Sequence, residues 1–469
     1  MQPAKFTTGS TMRHVIVMTA TGSIGLVAIF LVDALNLFYI SLLGEQELAA
    51  AIGYAGTLLF FTTSLAIGLA IAATALTSRA LGAGNREEAR EIAGASLAYM
   101  VILMLATVAV VFPFLGDLVG LLGAEGRTAQ LATEFMQIVL PSLPVLGVGM
   151  GLSALLRAAG DAKRAMYVTL GAGAMTAVLD PIFIFGLDLG IHGAAISTVI
   201  SRFVLVAIGL HGLITVHRLI GMPSRETMTR QIRPFLYIGG PALLTQIATP
   251  VGNAFVTSAM AEHGDAAVAG WAVVGRIIPV AFGALFALSG AVGPILGQNF
   301  GACRFDRLNS TMRDSFFFIT VYCIVMWAVL ALLHTQISDL FGATGEAREI
   351  IRFFCLFVSA TFLFNGLLFV ANAAFNNLGF ALYSTLFNWG RSTLGVIPFV
   401  WYGSKWYGAT GALAGYGLGA VVFGLAAGVV CIRVVRDLVT RSNAADAEPP
   451  IPVPPAGQSP FTSGKASTL

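Results

Sequence analysis

The fold follows from residues 76–94, LTSRALGAGNREEAREIAG, because the chain has a counterpart to them at residues 293–308, GPILGQNFGACRFDRL. Within these stretches, residues 78–83 fall opposite residues 297–302, an offset of 219. Residues 159–160 fall opposite 378–379 and residues 192–195 opposite 410–413, at nearly the same offset. A steady offset across most of the chain indicates that the second half repeats the layout of the first.

Composition places both halves in a membrane. Hydrophobic residues make up 57% of the 469 and charged residues 10%, against roughly 25% charged in soluble domains. Apolar runs of about 20 or more residues recur, and each is long enough to cross a hydrocarbon core of about 30 Å. We predict twelve spans, at about residues 15–43, 48–77, 92–115, 129–157, 164–187, 190–216, 234–261, 266–296, 312–334, 347–375, 381–403 and 408–432.

The positions of Lys and Arg orient these spans. With both termini cytoplasmic, most of the 26 Lys and Arg residues fall in inside segments, as the positive-inside rule requires. Six spans per half is an even number, so the repeat is parallel and a binding site near the pseudo-symmetry axis is expected. The formal net charge of +3 therefore reflects topology and does not indicate nucleic-acid binding.

The sequence predicts an all-α integral membrane protein with two pseudo-symmetric six-helix bundles. A short cytoplasmic N-terminus (1–14) precedes an N-lobe (15–216), a cytoplasmic linker (217–233) and a C-lobe (234–436). A tail at 437–469, rich in Pro, Ala and Ser, is expected to be disordered. The four cysteines lack pair spacing and suggest neither a disulfide framework nor a metal site.

Two carboxylates stand deep in the predicted spans, both in the first half. Asp33 lies in span 1 and Asp180 in span 5, at similar depth in the outer half of the membrane. A charge there costs about 2.5–3.5 kcal/mol on insertion scales, so each carboxylate is expected to have a functional or structural role that offsets this cost. Glu134 lies closer to the outer end of span 4, and a structural role is favoured for it.

Polar residues accompany both carboxylates. Asn36 shares a helix face with Asp33, and Thr176 shares one with Asp180, while span 6 adds Ser197 and Thr198. The functional interpretation is a carboxylate-lined cavity that takes up a proton or a small hard cation such as sodium, because burial and a second carboxylate both raise a carboxyl pKa. The alternative is structural: each aspartate is paired with an arginine or hydrogen-bonded by hydroxyls.

The second half lacks a deep carboxylate. Asn253 stands opposite Asp33, and the neutral residues Gln246, Asn365 and Asn372 are the polar candidates there. Ion-driven chemistry is therefore expected in the first bundle. Three arginines within spans are ambiguous between lining an anion path, pairing with carboxylates and snorkelling, with structural roles favoured: Arg202, Arg276 and Arg391.

Known catalytic motifs are missing from the sequence. It contains no P-loop, no serine-nucleophile elbow and no HExxH motif, and its six histidines show no ligand spacing. We therefore expect no enzymatic activity and no cofactor beyond a coupling ion, H⁺ or Na⁺. An integral-membrane transferase would need clustered aspartates at one membrane face, which the sequence does not show.

Several ordered motifs resemble the multidrug and toxic compound extrusion (MATE) family. They are residues 31–51, LVDALNLFYISLLGEQELAAA; residues 76–94; residues 156–167, LRAAGDAKRAMY; residues 179–201, LDPIFIFGLDLGIHGAAISTVIS; and residues 293–308. The resemblance covers about residues 15–435. It implies two six-helix lobes around a V-shaped cavity and export of organic cations in exchange for protons or sodium ions.

The resemblance also assigns roles. Asp33 resembles the carboxylate of the family's first helix, and Asp180 and Thr198 resemble other ligands of its N-lobe cation site. Thr176 stands where many members have asparagine, which favours protons over sodium. Acidic residues that the NorM-like branch carries in spans 7 and 10 are absent here, so the chain resembles the DinF-like branch.

The resulting hypothesis is a cation-coupled antiporter of drugs and toxic compounds in the bacterial inner membrane. Ion uptake neutralises Asp33 and Asp180, the cationic amphipathic substrate leaves outward, and the lobes alternate access. A sodium-coupled version would use Asp33, Asp180 and Thr198 as ligands. The alternative is a flippase for a lipid-linked or anionic amphiphilic substrate. We expect small organic cations and lipid as partners, no nucleic acid, and a monomer.

Overall fold

The computed structural model describes residues 4–41 and 46–445, except for the side chains of residues 33, 34, 37, 38, 41, 46, 49 and 442–445. The described residues form helices and contain no β-strand. The α-helices are α1 (Thr11–Ser41), α2 (Gln46–Gly82), α3 (Arg86–Val111), α4 (Leu115–Leu121), α5 (Gly126–Val139), α6 (Leu143–Ala158), α7 (Ala162–Pro181), α8 (Gly190–Leu210), α9 (Arg225–Ala261), α10 (Asp265–Gly301), α11 (Phe305–Leu340), α12 (Gly345–Leu356), α13 (Phe362–Leu378), α14 (Ala381–Gly390) and α15 (Ile397–Ala445).

These helices account for the twelve predicted spans. Ten stretches of the described chain are long and apolar enough to cross a membrane, and the last of them, Ala381–Arg441, has 61 residues. That stretch contains a kink at Tyr407 and at Gly408, whose φ of 65° suits glycine, so it holds two spans. Helix α9, with 37 residues, is long enough to supply the remaining span.

The repeat seen in the sequence is also present in the helices. Helices α2 and α10 each have 37 residues and begin 219 positions apart, at Gln46 and Asp265. A short 3-10 segment, Leu140–Ser142, separates α5 from α6, and its counterpart Val358–Thr361 separates α12 from α13. The all-helical fold with two repeats is therefore confirmed.

Short segments of irregular helix interrupt several spans. Pro141 lies inside the 3-10 segment between α5 and α6, where the missing N–H of proline interrupts the α-helical ladder. Three π-helical segments follow α7, α8 and α14, at Ile182–Gly186, His211–Val216 and Arg391–Gly395. Because π-turns often occur at functional sites, the first and third are of interest, as they adjoin a buried charge.

Contacts within the chain define two compact units. We call Ile24–Leu81 with Asn85–Gly239 the first-half unit, and Met1–Ser23, Gly82–Gly84 and Gly240–Leu469 the second-half unit. The residues before α1 thus belong with the second repeat. In the same way, the residues linking α8 to α9 belong with the first repeat.

The N-terminal segment is more ordered than its polar composition suggests. Helix α1 begins at Thr11, earlier than the predicted residue 15, and Phe6 is buried in a 3-10 turn. The backbone N–H of Phe6 donates to Gln298 Oε1 at 2.9 Å, and Arg307 Nη2 donates to the Phe6 carbonyl at 2.9 Å. Thr11 Oγ1 donates to Asp314 Oδ2. This segment is therefore anchored within the second-half unit.

The connection between the repeats and the C-terminal helix also differ from expectation. Helix α9 begins at Arg225, so the predicted linker of 217–233 is helical from that residue onward. Gly221 N donates to the Arg90 carbonyl at 3.3 Å, and Tyr99 Oη donates to the Met228 carbonyl.

Helix α15 continues to Ala445, beyond the predicted tail start at 437, because helical hydrogen bonding propagates past the apolar run. Residues 446–469 lie outside the described part.

Candidate functional site

Asp33 lies in helix α1, but its side chain lies outside the described residues. Its predicted role in coupling therefore stays a prediction. The helical backbone of α1 around it continues to Ser41 and carries Asn36, whose side chain is described and half-buried.

Asp180 is a fully buried carboxylate in the first-half unit. It is the penultimate residue of α7, followed by Pro181 and the π-helical segment Ile182–Gly186, and none of its surface is exposed. Asn36 Nδ2 donates a hydrogen bond to Asp180 Oδ2 at 3.1 Å. The predicted companion of Asp33 thus contacts Asp180 across α1 and α7, and one oxygen of Asp180 is satisfied.

The second oxygen of Asp180 is not satisfied. Asp180 Oδ1 is buried and has no hydrogen-bond partner among the described residues, and the same holds for the buried Ser197 Oγ of α8. Ser197 lies close to this carboxylate. Buried polar atoms are normally paired, so two unpaired oxygens at one point mark a place for a proton or a cation.

The two predicted threonines make the same kind of hydrogen bond. Thr176, one turn before Asp180 on α7, is buried and donates from Oγ1 to the Ala172 carbonyl at 3.1 Å. Thr198 of α8 donates from Oγ1 to the Ala194 carbonyl at 2.9 Å. Each hydroxyl donates its hydrogen to a backbone carbonyl of its own helix, so only the oxygen lone pairs are available to a bound ion.

This arrangement suits two kinds of ion. A proton on Asp180 Oδ1 would remove the buried charge and supply a donor for Ser197 Oγ. Sodium would instead need several oxygen ligands, for which Asp180, Ser197 and the threonine hydroxyls are the available set. The described residues bring together no group of three or more His, Cys, Asp or Glu side chains, which is the kind of set a transition metal prefers.

The neutral candidates of the second half lie in α9 and α13. Gln246 is half-buried and Asn253 is exposed, both on α9. Asn372 of α13 is buried, and its Oδ1 has no hydrogen-bond partner among the described residues. Asn365, seven residues earlier, is also buried with an unpaired Nδ2. These amides are close to neither Asp33 nor Asp180 in sequence.

The three arginines of the spans have different surroundings. Arg202 of α8 is buried and donates from Nη1 to the Val139 carbonyl at 2.9 Å and to Ser142 Oγ at 2.7 Å. Arg202 thereby supplies hydrogen bonds to acceptors at the 3-10 break between α5 and α6, which is a structural role. Arg276 of α10 is exposed, and Arg391 is buried next to α14.

Glu134 has partners for both of its oxygens. His192 Nε2 lies 3.1 Å from Glu134 Oε2, and Gln130 Nε2 donates to Glu134 Oε1 at 2.8 Å. The side chain is about one-third exposed. These contacts tie α5 to α8, as a structural role requires.

A polar cluster between α6 and α7 was not singled out from the sequence. Asp161 caps α7 by accepting from Arg164 N at 3.1 Å, and His217 Nε2 lies 2.7 Å from Asp161 Oδ2. Burial alone would raise the pKa of the Asp161 carboxyl, but hydrogen bonds from His217 and Arg164 outweigh it and hold the pKa below its usual range. The sequence feature that could have identified this cap is the Gly-Asp pair at residues 160–161, since an aspartate after a glycine often precedes a helix.

Two matches to a family model reproduce the repeat. The MatE family model matches residues 22–182 and again residues 241–401. The two matches begin and end 219 positions apart, the offset found from the sequence landmarks. Together they cover more than half of the chain and include Asp33 and Asp180 in the first match.

Curated relatives and solved structures match nearly the whole chain. The FAD transporter of Shewanella oneidensis is 27% identical over 443 residues, covering 93% of this chain and 97% of the relative. The multidrug export protein MepA of Staphylococcus aureus is 24% identical, covering 87% and 90%. A structure of the Vibrio cholerae MATE transporter VcmN is 25% identical, with a TM-score of 0.86 over 91% and 97% of the chains. The chain belongs to the MatE family and is a multi-pass membrane transporter rather than an enzyme.

Proposed function

We propose that this transporter exports organic, cationic amphipathic compounds in exchange for protons or sodium ions. The observation that carries the proposal is the buried Asp180, with one oxygen bound by Asn36 and the other unpaired beside Ser197 Oγ. A carboxylate so placed favours uptake of a positive ion, because an ionised and unpaired carboxylate is unstable in a low-dielectric interior.

The coupling step is a change of charge at Asp180 and Asp33. Ion uptake neutralises the carboxylates, which then no longer attract a cationic substrate. A ligand that binds one state better shifts the conformational equilibrium toward that state. The substrate therefore leaves outward as the ion enters, and alternating access of the two lobes carries the ion inward. The MepA relative, a multidrug export protein, supports drugs as substrates.

The first test measures ethidium transport in vesicles containing the purified protein. Asp180→Asn removes the titratable group while keeping the side-chain size, and we expect it to abolish net export. Glu134→Gln is the matched control, because Glu134 is an acidic residue whose oxygens both have partners. Normal export by Asp180→Asn would contradict the proposal.

A second candidate is export or flipping of an anionic amphiphile. The FAD transporter relative supports it, since FAD carries two phosphates. This candidate requires positive charge inside the protein that structural contacts do not already use. Arg202 does not meet that requirement, whereas Arg391 does.

We place the protein in the bacterial inner membrane with both termini cytoplasmic, as the Lys and Arg pattern favours. We further propose that it works as a monomer, that it needs no cofactor besides the coupling ion, and that it belongs to the DinF-like branch. The last proposal rests on the neutral residues Gln246, Asn365 and Asn372 in the second half. Thr176, where many relatives have asparagine, favours protons.

A further inference from the structure

Arg391 is a buried charge that the coupling site does not use. It directly follows α14 and begins the π-helical segment Arg391–Gly395. Only 4% of its surface is exposed. It lies ten residues after Ala381, the start of that span, which places it about 15 Å along the helix. Because a hydrocarbon core is about 30 Å thick, Arg391 stands near mid-membrane, too deep to snorkel easily.

The guanidinium of Arg391 has unused hydrogen-bond donors. Its two hydrogen bonds both come from Nη2, to Thr249 Oγ1 at 3.0 Å and to Ser392 Oγ at 3.4 Å. Its buried Nε has no partner among the described residues, and no described carboxylate forms an ion pair with it. A guanidinium carries five N–H donors in a planar fork, so most of them are free.

Helix α9 presents neutral donors beside this charge. Gln246 lies three residues before Thr249 and Asn253 four residues after it, so all three share one helix face. Neither amide side chain makes a described hydrogen bond. Thr249, whose hydroxyl accepts from Arg391, lies between them on this face, so the two amides are the nearest neutral donors along the helix.

The position of Arg391 against α9 is fixed by other contacts. Trp389 Nε1 donates to the Leu244 carbonyl at 3.0 Å, and Thr385 Oγ1 donates to the Pro241 carbonyl at 2.7 Å. A Cβ on Gly252 would lie 3.2 Å from Ser392 Cβ, so the two elements touch closely there. The donors are thus pre-organised, which lowers the entropy lost on binding a ligand.

We propose that Arg391, together with Gln246 and Asn253, forms a subsite for one anionic group, a carboxylate or a phosphate, on the transported compound. The proposal rests on the second candidate function, export of an anionic amphiphile, and specifies its chemistry: a substrate with an apolar body and at least one negative charge. Arg202 shows the contrast, because a backbone carbonyl and a serine hydroxyl already use its Nη1 donors. Of these two buried arginines, Arg391 has a buried Nε that lacks an acceptor among the described residues.

The test compares three probes that share a naphthalene body and differ in the polar group, two anionic and one neutral: 1-naphthyl phosphate, 1-naphthoate and 1-naphthalenemethanol. Binding is measured by calorimetry to the full chain in phosphatidylcholine nanodiscs, with empty nanodiscs subtracted. We expect wild type to bind the two anions roughly tenfold or more tighter than the alcohol, as hydrogen bonds to a charged group allow. Arg391→Gln should lose this preference, and Arg391→Lys should keep part of it, because lysine preserves charge but not the fork.

Two further variants separate recognition from packing. Thr249→Val removes the hydroxyl that orients Arg391 and should weaken the preference while keeping the charge. Arg202→Gln, a matched buried arginine, should leave the preference unchanged. If Arg391→Gln does not fold, Arg391→Lys and Thr249→Val decide the question. Equal binding of all three probes by wild type, or an unchanged preference in all Arg391 and Thr249 variants, would overturn the proposal.

Additional arms identify the source of the anion. If phosphatidylglycerol in the nanodisc weakens binding of 1-naphthyl phosphate to wild type but not to Arg391→Gln, a lipid headgroup occupies the subsite. If it weakens neither, a soluble anion does. Because binding is measured without an ion gradient, a failure of coupled ethidium export leaves this result unaffected. The two proposals can therefore fail separately.

Discussion

Asn36 Nδ2 and Asp180 Oδ2 lie 3.1 Å apart, which joins α1 to α7 by a hydrogen bond in the apolar interior of the first-half unit. The same carboxylate keeps its other oxygen unpaired. One oxygen thus orients the side chain, while the other is available to an ion. This division of roles would let the carboxylate stay in place while it changes its charge, as the proposed coupling step requires.

Removing the amide of Asn36 should loosen this arrangement. We expect Asn36→Leu to lower the free energy of unfolding by about 0.6 kcal/mol and by no more than about 1.7 kcal/mol, the mean and the maximum measured for hydrogen bonds between membrane helices. Ethidium export should also fall, because Asp180 loses its orienting donor. Melting of the detergent-solubilised protein and vesicle transport are the measurements.

Ser23→Ala is the control for Asn36→Leu. The Ser23 hydroxyl lies on the same helix but donates only to the Thr19 carbonyl of that helix, at 2.8 Å. Its loss should therefore change neither stability nor transport appreciably. Equal effects of the two substitutions would show that the contact with Asp180 has no special role.

Gly82 should not tolerate a side chain. A Cβ at Gly82 would lie 2.0 Å from the Gln298 carbonyl oxygen, a backbone atom that cannot move aside cheaply. We expect Gly82→Ala to destabilise the protein by about 1–3 kcal/mol, the usual cost of overpacking. Gly56→Ala, on the same helix and with nothing within 4 Å of its Cβ, is the control. A melting temperature unchanged by Gly82→Ala would refute the close approach.

The N-terminal segment should depend on Arg307. Its guanidinium donates to the carbonyls of Phe6 and Gly9, both at 2.9 Å, and to Asn299 Oδ1 at 3.0 Å. Arg307→Gln should release residues 4–10 and let trypsin cleave after Lys5 or Arg13 at a much lower enzyme concentration. The readout is mass spectrometry of the N-terminal fragments.

Arg304→Gln is the matched control for Arg307→Gln. Arg304 pairs only with the exposed Asp306, with Nε and Oδ1 3.3 Å apart. Cleavage of this variant should match wild type. If Arg307→Gln is also as resistant as wild type, the hydrogen bonds of Arg307 do not hold the segment.

Acid should weaken the Asp161 cluster. The pKa of this carboxyl is lower in the folded protein than in the unfolded chain, so its contribution to stability is complete above about pH 4. That contribution is lost as the pH falls toward the folded pKa. Asp161→Asn should lower the melting temperature at pH 7, and its melting temperature should vary less between pH 5 and pH 3 than that of wild type.

Asp117→Asn provides the comparison for the acid series. Asp117 lies exposed in the first turn of α4 and makes no described ion pair. Its substitution should leave the pH dependence of melting as it is in wild type. If the melting temperature of Asp161→Asn depends on pH as strongly as that of wild type, Asp161 contributes no pH-dependent stability.

The sequence predicted the span pattern because apolar length and charge placement depend on the bilayer alone. It also identified Asp180, since a carboxylate within an apolar run is visible without coordinates. The bond from Asn36 to Asp180 could not be predicted, because helix periodicity shows which face a residue occupies and not which helix it meets. The unpaired donors of Arg391 were hidden for the same reason.

The local backbone breaks and the structure of the N-terminal segment also could not be predicted from the sequence. The apolar runs through Pro141 and Arg391 look continuous, yet the backbone changes hydrogen-bond register there. Phe6 is a single apolar residue in a polar stretch, so nothing marked it as buried. Its burial depends on Gln298 and Arg307, about 300 residues away, and only the folded chain brings these residues together.

The central claim is that neutralisation of Asp180 drives export. The most direct measurement follows ethidium in proteoliposomes under an imposed proton gradient or an imposed sodium gradient, applied separately, for wild type and Asp180→Asn. We expect one gradient to drive export by wild type, and neither gradient to drive export by Asp180→Asn. Gradient-driven export by Asp180→Asn at the wild-type rate would contradict the claim.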